Sequence, residues 1–405
     1  MKHALCWALA ALLALVLAHP AAAQKKYAPG VTDSEIKVGQ TMPYSGPASA
    51  YGAGGLAELA YFKMLNDQGG IFGRKITLIS LDDGYSPPRT VEQTRRLVEQ
   101  ENVAFIFGSL GTPSNVAIQK YLNDRKVPQL FIATGASRWA DPAQFPWTLR
   151  FNPSYQMEGR IYAQYIRQHK PDAKVAVLYQ NDDFGKDLLQ GMKDGLGERS
   201  AEMIVAAISY EVTDPQIDSQ IVSLQASGAD TLFTAATPKF AAMSIRKVYD
   251  IGWRPLHFLN ATGSAVSAVL VPAGIEKSIG IISTAYMKDA TDPRWKDEPA
   301  YRAWLAWMRK YNPMANPAEI YNVYGYNVAM TLVQVLQQCG DDLSRENVMR
   351  QATNLHDLAL PMLQPGITIS TSPTDYEPVK QLRLVRFDGE TWAPFGEVME
   401  GMLTK

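Results

Sequence analysis

Short apolar runs alternate with amphipathic segments through the first third of the chain, and this alternation limits the fold more than any other feature. Strands are predicted at 36–42, 75–83, 103–108 and 128–133, with helices between them. Parallel strands joined by crossover helices give this pattern, because the helices cover both faces of their sheet. The alternation therefore predicts an α/β unit built on a parallel sheet.

The same alternation starts again after a connector at 141–154, which contains three prolines. The second series predicts a helix at 155–169, followed by strands and helices that alternate as far as residue 260, among them a strand at 202–211. From about residue 285 the chain is mainly helical, and 381–399 predict a β-hairpin that turns at Asp388–Gly389. We therefore expect an α/β protein of two Rossmann-like lobes with parallel sheets.

In this prediction the chain contributes to each lobe more than once. The first lobe comprises 24–150 and about 285–357, and the second comprises 151–284 and about 358–405. Two sheets connected in this way place a cleft between the carboxyl ends of their strands, where open α/β folds bind ligands. A ligand site is therefore expected between the lobes.

Residues 1–23 have the composition of a secretory signal peptide. Lys2 supplies the positive charge, 8–18 form an apolar segment that is short for a membrane span, and a small-residue cleavage site follows. We expect cleavage after Ala23 and export of a soluble protein to the periplasm; an N-terminal membrane anchor is the alternative. The mature chain keeps Cys339 as its single cysteine, so no internal disulfide is expected.

No combination of residues in the sequence indicates catalysis. The phosphate-binding loop, the serine nucleophile elbow and the zinc-binding helix motif are absent. His169, His257 and His356 are far apart, and His257 lies in an apolar strand pattern that favours a packed core position. The formal net charge is −1 without a long basic run, which argues against nucleic acid or an anionic membrane as the partner. We therefore expect a protein that is not an enzyme and has no metal site or cofactor.

Two neighbouring strands end in loops of glycine and hydroxyl residues, at 108–112 and 134–137. At each loop a strand stops and a helix begins, so free backbone N–H groups and the positive end of a helix dipole face the loop. Thr112 and Ser137, with the amides near Gly135, therefore form a candidate site for one carboxylate. The alternative is that both hydroxyl residues only cap the helices that follow.

Six segments together resemble the periplasmic binding proteins of branched-chain amino acid ABC transporters. They are MPYSGPASAYG (42–52), NDQGGIFGRKITLISLDD (66–83), FIFGSLGTPSN (105–115), FIATGAS (131–137), LYQNDDFGKDLLQG (178–191) and GITISTSPTDYEPVKQLRLVRFDG (366–389). The resemblance extends over nearly the whole mature chain and implies a type I periplasmic binding fold. In this fold, lobes joined by a multi-strand hinge close on a small solute and present it to an inner-membrane ABC permease. We further expect a monomer.

The resemblance assigns the ligand carboxylate to groups after the third and fourth strands, which are Thr112, Gly135, Ala136 and Ser137 in this sequence. It also aligns Tyr51 with an aromatic residue that lies over the ligand. Phe184 aligns with a second-lobe tyrosine and therefore lacks that residue's hydroxyl.

One position departs from the pattern of the amino acid binders. In those proteins an acidic residue of the second lobe pairs with the ligand's ammonium, whereas this sequence has Thr262 there and Thr237 where a tyrosine is common. A buried ammonium without a carboxylate partner is strongly disfavoured. The departure predicts a carboxylic acid that lacks an α-amino group.

Aromatic residues near the predicted cleft favour a flat apolar ligand, such as a benzoate or a phenylpropanoid. Tyr44, Tyr85 and Trp139 are candidates for the rim of the site, with ordinary packing as the alternative for each. Lys239 is expected to be a solvated residue at the start of a helix.

The expected function is that of the solute-binding component of an ABC importer, which captures a small carboxylate by hinge closure. The expected ligand is an aromatic or other non-amino organic acid. A branched-chain amino acid or amide binding protein of the same fold is the first alternative, and a ligand-sensing receptor subunit is the second.

Overall fold

The computed structural model describes residues 25–400. The predicted signal peptide and its cleavage site after Ala23 lie outside the described residues. Within the described range, no helix combines the length and the apolar character that a membrane crossing requires.

The first lobe contains a short strand, β1 (Lys26–Tyr27), and a five-stranded parallel sheet. The strands of that sheet are β2 (Glu35–Met42), β3 (Lys75–Asp82), β4 (Phe105–Phe107), β5 (Gln129–Ile132) and β6 (Thr148–Arg150). They lie in the order β3-β2-β4-β5-β6, and the pairing of Val38 with Phe105 sets the register at the centre. Every residue of β4 and β5 is buried, as expected for strands covered on both faces.

The crossover helices of this lobe are α1 (Gly52–Asp67), α2 (Pro87–Arg95) and α3 (Thr112–Asp124). Three later helices complete the lobe, and they are Pro299–Tyr311, Ile320–Cys339 and Arg345–Ala352. The described part of the chain contains one buried free cysteine, Cys339, whose pKa burial raises to about 12.

A seven-stranded sheet forms the second lobe. Its strands are β7 (Val175–Gln180), β8 (Ile204–Tyr210), β9 (Thr231–Ala235), β10 (Leu256–Leu259), β11 (Ile282–Ala285), β13 (Leu382–Phe387) and β14 (Trp392–Met399). Their order is β14-β13-β11-β10-β9-β7-β8, and the β13–β14 hairpin joins β11 in antiparallel pairing. The remaining strand, β12 (Asp342–Leu343), pairs with β1 in the first lobe.

The remaining helices follow the chain through both lobes. They are α4 (Tyr155–His169), α5 (Asp183–Leu196), α6 (Ser200–Met203), α7 (Asp218–Ala226), α8 (Pro238–Asp250), α9 (Val271–Ala273), α10 (Ile275–Ser278), α11 (Pro299–Tyr311), α12 (Ile320–Cys339) and α13 (Arg345–Ala352). Short 3₁₀ turns occur at Ser49–Tyr51, Ser137–Ala140, Gly197–Arg199, Ala261–Gly263 and Pro293–Trp295, and π-helical turns at Arg96–Gln100 and Val266–Leu270.

Helices α1 and α12 pack closely because both carry glycine at the contact. A Cβ atom on Gly325 of α12 would lie 2.2 Å from the carbonyl oxygen of Gly54 on α1. This approach brings the start of α12 over the carboxyl ends of the first-lobe strands.

The chain crosses between the lobes three times. The first crossing joins β6 to α4, the second leads out of β11 to α11, and the third leads from α13 to β13. All three lie beside the cleft between the two sheets, so they form its hinge side.

The predicted architecture of two α/β lobes is confirmed, and the helix predicted at 155–169 has the same bounds in the structure. Three details of the prediction were wrong. The connector at 141–154 contains an edge strand, Thr148–Arg150, because the segment between its prolines is long enough to pair with β5. A short helix, Ser200–Met203, replaces the start of the strand predicted at 202–211. The sheet of the second lobe is mixed rather than parallel, because the C-terminal hairpin adds to its edge.

Candidate functional site

A large cavity lies between the lobes, with a volume of about 1170 Å³ that includes the solvent space at its mouth. The ends of β4 and β5 form its first-lobe wall, and the segments after β9 and β10 form its second-lobe wall. The three crossings contribute the hinge side. The cavity therefore lies where the sequence places the ligand site.

Aromatic side chains dominate the cavity wall. They are Tyr51, Tyr85, Tyr155, Phe184, Tyr286, Tyr321, Tyr324 and Trp392. Two pairs meet edge to face, Tyr51 with Tyr321 and Tyr155 with Phe184, each with ring centroids 5.0 Å apart. Such a wall suits a ligand with a flat apolar body, since aromatic pairs favour this edge-to-face geometry.

The structure brings six of the eleven predicted site residues together on the cavity wall. These are Tyr51, Tyr85, Thr112, Phe184, Thr237 and Thr262. The other five, Tyr44, Gly135, Ala136, Ser137 and Trp139, do not line it.

Thr112 begins α3 directly after Gly111, whose φ of +104° suits glycine and few other residues. The Thr112 hydroxyl is 2.7 Å from the hydroxyl of Thr134, which lies on the neighbouring strand end. The ring of Tyr85 covers Gly111 so closely that a Cβ atom there would lie 2.6 Å from its Cε2. Glycine at 111 therefore allows Tyr85 to form part of the wall.

Tyr155, which was not predicted from the sequence, stands between the predicted carboxylate loop and the cavity. Burial raises the pKa of its phenol to about 12. The ring packs over Gly135, where a Cβ atom would lie 3.0 Å from it. The Tyr155 phenol lines the cavity together with Thr112, so it is a further donor for a ligand oxygen beside the loop that was predicted to bind one.

Ser137 binds a carboxylate, but one that belongs to the protein. Its backbone N–H and its hydroxyl donate to Asp187 of α5 at 2.6 and 2.9 Å. Gln156 donates to the same carboxylate at 2.9 Å. Since Asp187 lies in the second lobe, this contact joins the lobes, and Ser137 has no free donor for a ligand.

The neighbours of Ser137 are held by a buried arginine. Arg150 of β6 donates to the carbonyl oxygens of Gly135 and Ala136 at 3.1 and 2.9 Å. Trp139 follows in the same segment and is fully buried in the core. This loop is therefore a fixed part of the first lobe rather than a wall of the cavity.

Tyr44 and Lys239 also make contacts away from the cavity. The Tyr44 hydroxyl lies 2.7 Å from that of Ser80. Lys239 is exposed and donates to the carbonyl of Asp214 at 3.1 Å, in agreement with the expectation of a solvated lysine.

The second-lobe wall is fixed by hydrogen bonds around Thr262. Its hydroxyl accepts from the Asn260 amide at 2.8 Å, and its carbonyl accepts from the Tyr321 hydroxyl of the first lobe at 2.9 Å. Thr237 donates to the side-chain oxygen of Gln180 at 3.2 Å. Both threonines are therefore held in place while they line the cavity.

A buried carboxyl lies behind this wall. Glu158 of α4 accepts from the Ala261 N–H at 2.6 Å and from the Thr284 hydroxyl at 3.1 Å. Burial raises the pKa of Glu158, and the hydrogen bond from Tyr162 opposes the rise. Glu158 fixes the ends of β10 and β11 where they meet the cavity.

Two further carboxyls reach the cavity wall from the second crossing. Asp292 pairs with Arg294. Asp289 accepts from the N–H and hydroxyl of Thr291 at 2.8 Å, and burial raises its pKa. Within residues 25–400, Asp289 has no ion-pair partner, so it is the acidic group that a cationic ligand could meet.

The histidines are placed as the sequence predicts. His257 is buried, its ring nitrogen is 2.9 Å from the Thr234 hydroxyl, and burial lowers its pKa to about 4. In the part of the chain that the structure describes, no cluster of His, Cys, Asp or Glu has the arrangement of a metal site.

Some of the wall residues that were not predicted carried a signal in the sequence. Tyr286 directly follows β11, at a strand end where ligand contacts are expected, and Tyr321 and Tyr324 share one face of α12 at a spacing of three. Tyr155 begins α4 and Trp392 begins β14, so neither follows the carboxyl end of a parallel strand, and only the folded structure brings them to the cavity.

Two lobes that meet over an apolar, aromatic cavity, held together by hydrogen bonds across the cleft, define a protein that encloses a small molecule. The sequence profile of the periplasmic binding protein family matches residues 35–391, so the chain belongs to that family. Its relatives include Leu/Ile/Val-binding protein homologues, which are binding proteins rather than enzymes.

Similar proteins agree with this assignment. The chain is 27% identical to Leu/Ile/Val-binding protein homolog 7 of Brucella abortus (strain 2308), across 68% of this chain and 70% of the relative. A branched-chain amino acid ABC transporter structure from Thermus thermophilus with bound valine has a TM-score of 0.79 at 17% identity, covering 91% and 97% of the two chains. A solute binding protein of an ABC transporter from Rhodopseudomonas palustris BisB5, in complex with 3,4-dihydroxy benzoic acid, has a TM-score of 0.75 at 18% identity, covering 91% and 98%.

Proposed function

We propose that this protein captures a small organic carboxylate with an aromatic or other apolar body and no α-amino group. It works outside the cytoplasm as the solute-binding component of an ABC importer and delivers the closed complex to a membrane permease. The observation that carries the proposal is an aromatic cavity with hydroxyl donors at Thr112 and Tyr155 and no acid at Thr262.

The carboxylate is held by Thr112 and Tyr155. Both residues line the cavity, and their hydroxyl groups can donate to a ligand oxygen. The N-terminus of α3, a helix of 13 residues, adds its positive end at the same place. These donors replace the predicted contacts of Ser137, which Asp187 occupies.

The body of the ligand lies against the aromatic wall. Burial of an aromatic ring contributes about 25 cal/mol for each Å² of apolar surface removed from water. The Rhodopseudomonas palustris structure contains an aromatic acid within the same fold, which supports this ligand class.

Closure of the lobes completes the site. Tyr321 and Thr262 meet across the cleft, as do Ser137 and Asp187, so both walls are joined when the cavity is closed. Hinge closure over a solute is the motion that such two-lobed folds use.

A panel of matched ligands tests the proposal. Benzoate and 3-phenylpropanoate should each stabilise the purified mature protein, by about 3 kcal/mol at a hundredfold excess over Kd. Their methyl esters, which lack the charge, should bind at least tenfold more weakly by calorimetry. Thr112→Val and Tyr155→Phe should each weaken the acids, whereas Tyr326→Phe, outside the cavity on α12, should not. Equal binding of acids and esters would overturn the proposal.

Asp289 supports a second candidate, an amino acid or amide binder of the same fold. This carboxyl lines the cavity without an ion-pair partner in the described residues, and the Thermus thermophilus structure of this fold contains valine. Phenylalanine and valine therefore belong in the same panel. This candidate would be favoured if the amino acids bind, if Asp289→Asn abolishes that binding, and if benzoate and 3-phenylpropanoate do not bind.

A further inference from the structure

The hinge side of the cavity contains polar side chains that lack hydrogen-bond partners. The Asn152 carbonyl oxygen, the Tyr324 hydroxyl and the Gln364 carbonyl oxygen are buried, and none has a partner within residues 25–400. All three side chains line the cavity and are at least nine-tenths buried, with 6%, 7% and 5% exposed.

These groups lie on the segments that connect the lobes. Asn152 is in the first crossing and Gln364 in the third. Gln364 is fastened to the second crossing, since its backbone N–H donates to the Tyr286 carbonyl at 2.9 Å and its amide donates to the Met287 carbonyl at 3.3 Å.

Tyr324 is the contribution of α12 to the same wall. Its ring meets Phe151, the residue before Asn152, edge to face at 5.6 Å. Burial raises the pKa of Tyr324 well above its usual range, and the nearby Tyr286 phenol raises it further. Tyr324 therefore lies between the first and second crossings.

Buried polar groups without partners are uncommon, because each loses its hydrogen bonds to water and gains none in the protein. Two of these groups are carbonyl oxygens that accept, and the third is a phenol that donates or accepts. None carries a charge, so a charged ligand group would find no counter-charge among them. A neutral hydroxyl suits this surface, because it can accept from the Tyr324 phenol while it donates to one of the two carbonyl oxygens.

We infer that the hinge side of the cavity is a subsite for a hydroxyl group, so that the preferred ligand is a hydroxylated organic acid. This inference rests on the proposed function, since the carboxylate is held separately by Thr112 and Tyr155. The subsite also couples ligand chemistry to closure, because two of its residues lie on the crossings that move.

Matched pairs of acids test the subsite. Benzoate and 3-phenylpropanoate are titrated by calorimetry, each beside its ring-monohydroxylated derivatives. The proteins are the wild type and the variants Tyr324→Phe, Gln364→Met and Tyr326→Phe. Tyr326 is on the same helix outside the cavity, so its variant controls for loss of a tyrosine hydroxyl from α12.

We expect at least one hydroxylated isomer to bind about tenfold more tightly than its parent, which corresponds to one good hydrogen bond. That preference, measured in each protein as the ratio of the two Kd values, should be lost in Tyr324→Phe and reduced in Gln364→Met. Tyr326→Phe should keep the preference.

Equal affinity for parents and hydroxylated acids in wild-type protein would overturn the subsite and leave the proposed function standing. A preference for the hydroxylated acid that survives in both Tyr324→Phe and Gln364→Met would also overturn the subsite and leave the proposed function standing. If none of the acids binds, the proposed function and the subsite both fall.

Discussion

Ser137 of the first lobe donates its backbone N–H and its hydroxyl to the carboxylate of Asp187 in the second lobe, at 2.6 and 2.9 Å. The two residues are 50 positions apart in the chain, and their contact exists only when the lobes are together. We therefore interpret the pair as an interlobe latch that stabilises the closed form.

Ser137→Ala should weaken ligand binding without lowering the stability of the ligand-free protein. The variant loses one hydrogen bond to a charged acceptor that is partly exposed, so a cost of about 1 kcal/mol, or about fivefold in Kd, is expected. Calorimetric titration and thermal unfolding of the free protein measure the two effects.

Arg138→Gln is the matched control for the latch. Arg138 also reaches across the cleft, to Asp183 at 3.1 Å, but both side chains are about two-fifths exposed, 38% and 41%. Exposed ion pairs contribute about 0 to 1 kcal/mol, so this variant should bind nearly as wild type does. Equal losses in the two variants, or no loss in Ser137→Ala, would count against the latch.

The latch shows which parts of the site could be predicted from the sequence. The loop after β5 was predicted from the sequence, but Ser137 was assigned to a ligand carboxylate and instead donates to Asp187. Its partner could not be predicted, because Asp187 meets it only through the packing of two lobes.

Tyr155 shows a second limit of the same kind. Strand-end loops can be recognised in the sequence by their glycine and hydroxyl residues, and Thr112 was predicted to be a site residue on this basis. The direction of the Tyr155 ring depends on the course of the first crossing, which no local pattern encodes. The sequence therefore predicted where the cavity lies and much of its wall, whereas the packing of the Tyr155 ring over Gly135 could be seen only in the structure.

Gly111→Ala should impair ligand binding by displacing Tyr85 from the cavity wall. A Cβ atom at this position would lie 2.6 Å from the Tyr85 ring, in addition to the strain of a φ of +104°. We expect destabilisation of about 1 kcal/mol or more from the backbone alone and a further loss of ligand affinity.

Gly69→Ala separates these two effects. Gly69 has nearly the same φ, +102°, but a Cβ atom added there would have no other atom within 4 Å. This variant should lose stability to denaturant without losing ligand affinity. If both variants bind the ligand equally well, Tyr85 is not part of the binding wall.

Glu58 should make the stability of the protein fall as the pH rises. It is fully buried on α1 with Gln40 as its donor, and burial raises its pKa from 4.5 to about 8. The folded state therefore holds a proton that the unfolded state has released. The stabilisation is complete below about pH 4.5 and is lost progressively up to pH 8, at about 1.4 kcal/mol for each pKa unit.

Urea unfolding of wild type and Glu58→Gln at pH 5 and pH 8 measures this effect. The glutamine keeps the neutral shape of the side chain, so the two proteins should differ least at pH 5 and the variant should become the more stable at pH 8. His257 acts in the opposite direction, because its pKa is lowered to about 4 and its contribution is lost as the pH falls. Since both proteins contain His257, its effect cancels, and parallel pH profiles would contradict the prediction for Glu58.

Thr262→Glu should exchange the preferred class of ligand. Thr262 lines the cavity from the second lobe, and an added carboxylate there would repel an organic acid and attract an ammonium. Two charges at about 4 Å interact by about 4 kcal/mol at an effective dielectric constant of 20, so even a partly screened interaction gives a large change. We expect binding of 3-phenylpropanoate to fall at least tenfold, while its α-amino counterpart phenylalanine gains affinity relative to it. Thr262→Gln is the matched control, because glutamine has nearly the same size as glutamate but no charge. It should lower the binding of both ligands by a similar factor. An unchanged ratio of the two affinities in Thr262→Glu would show that the ligand's α-carbon does not lie near this wall.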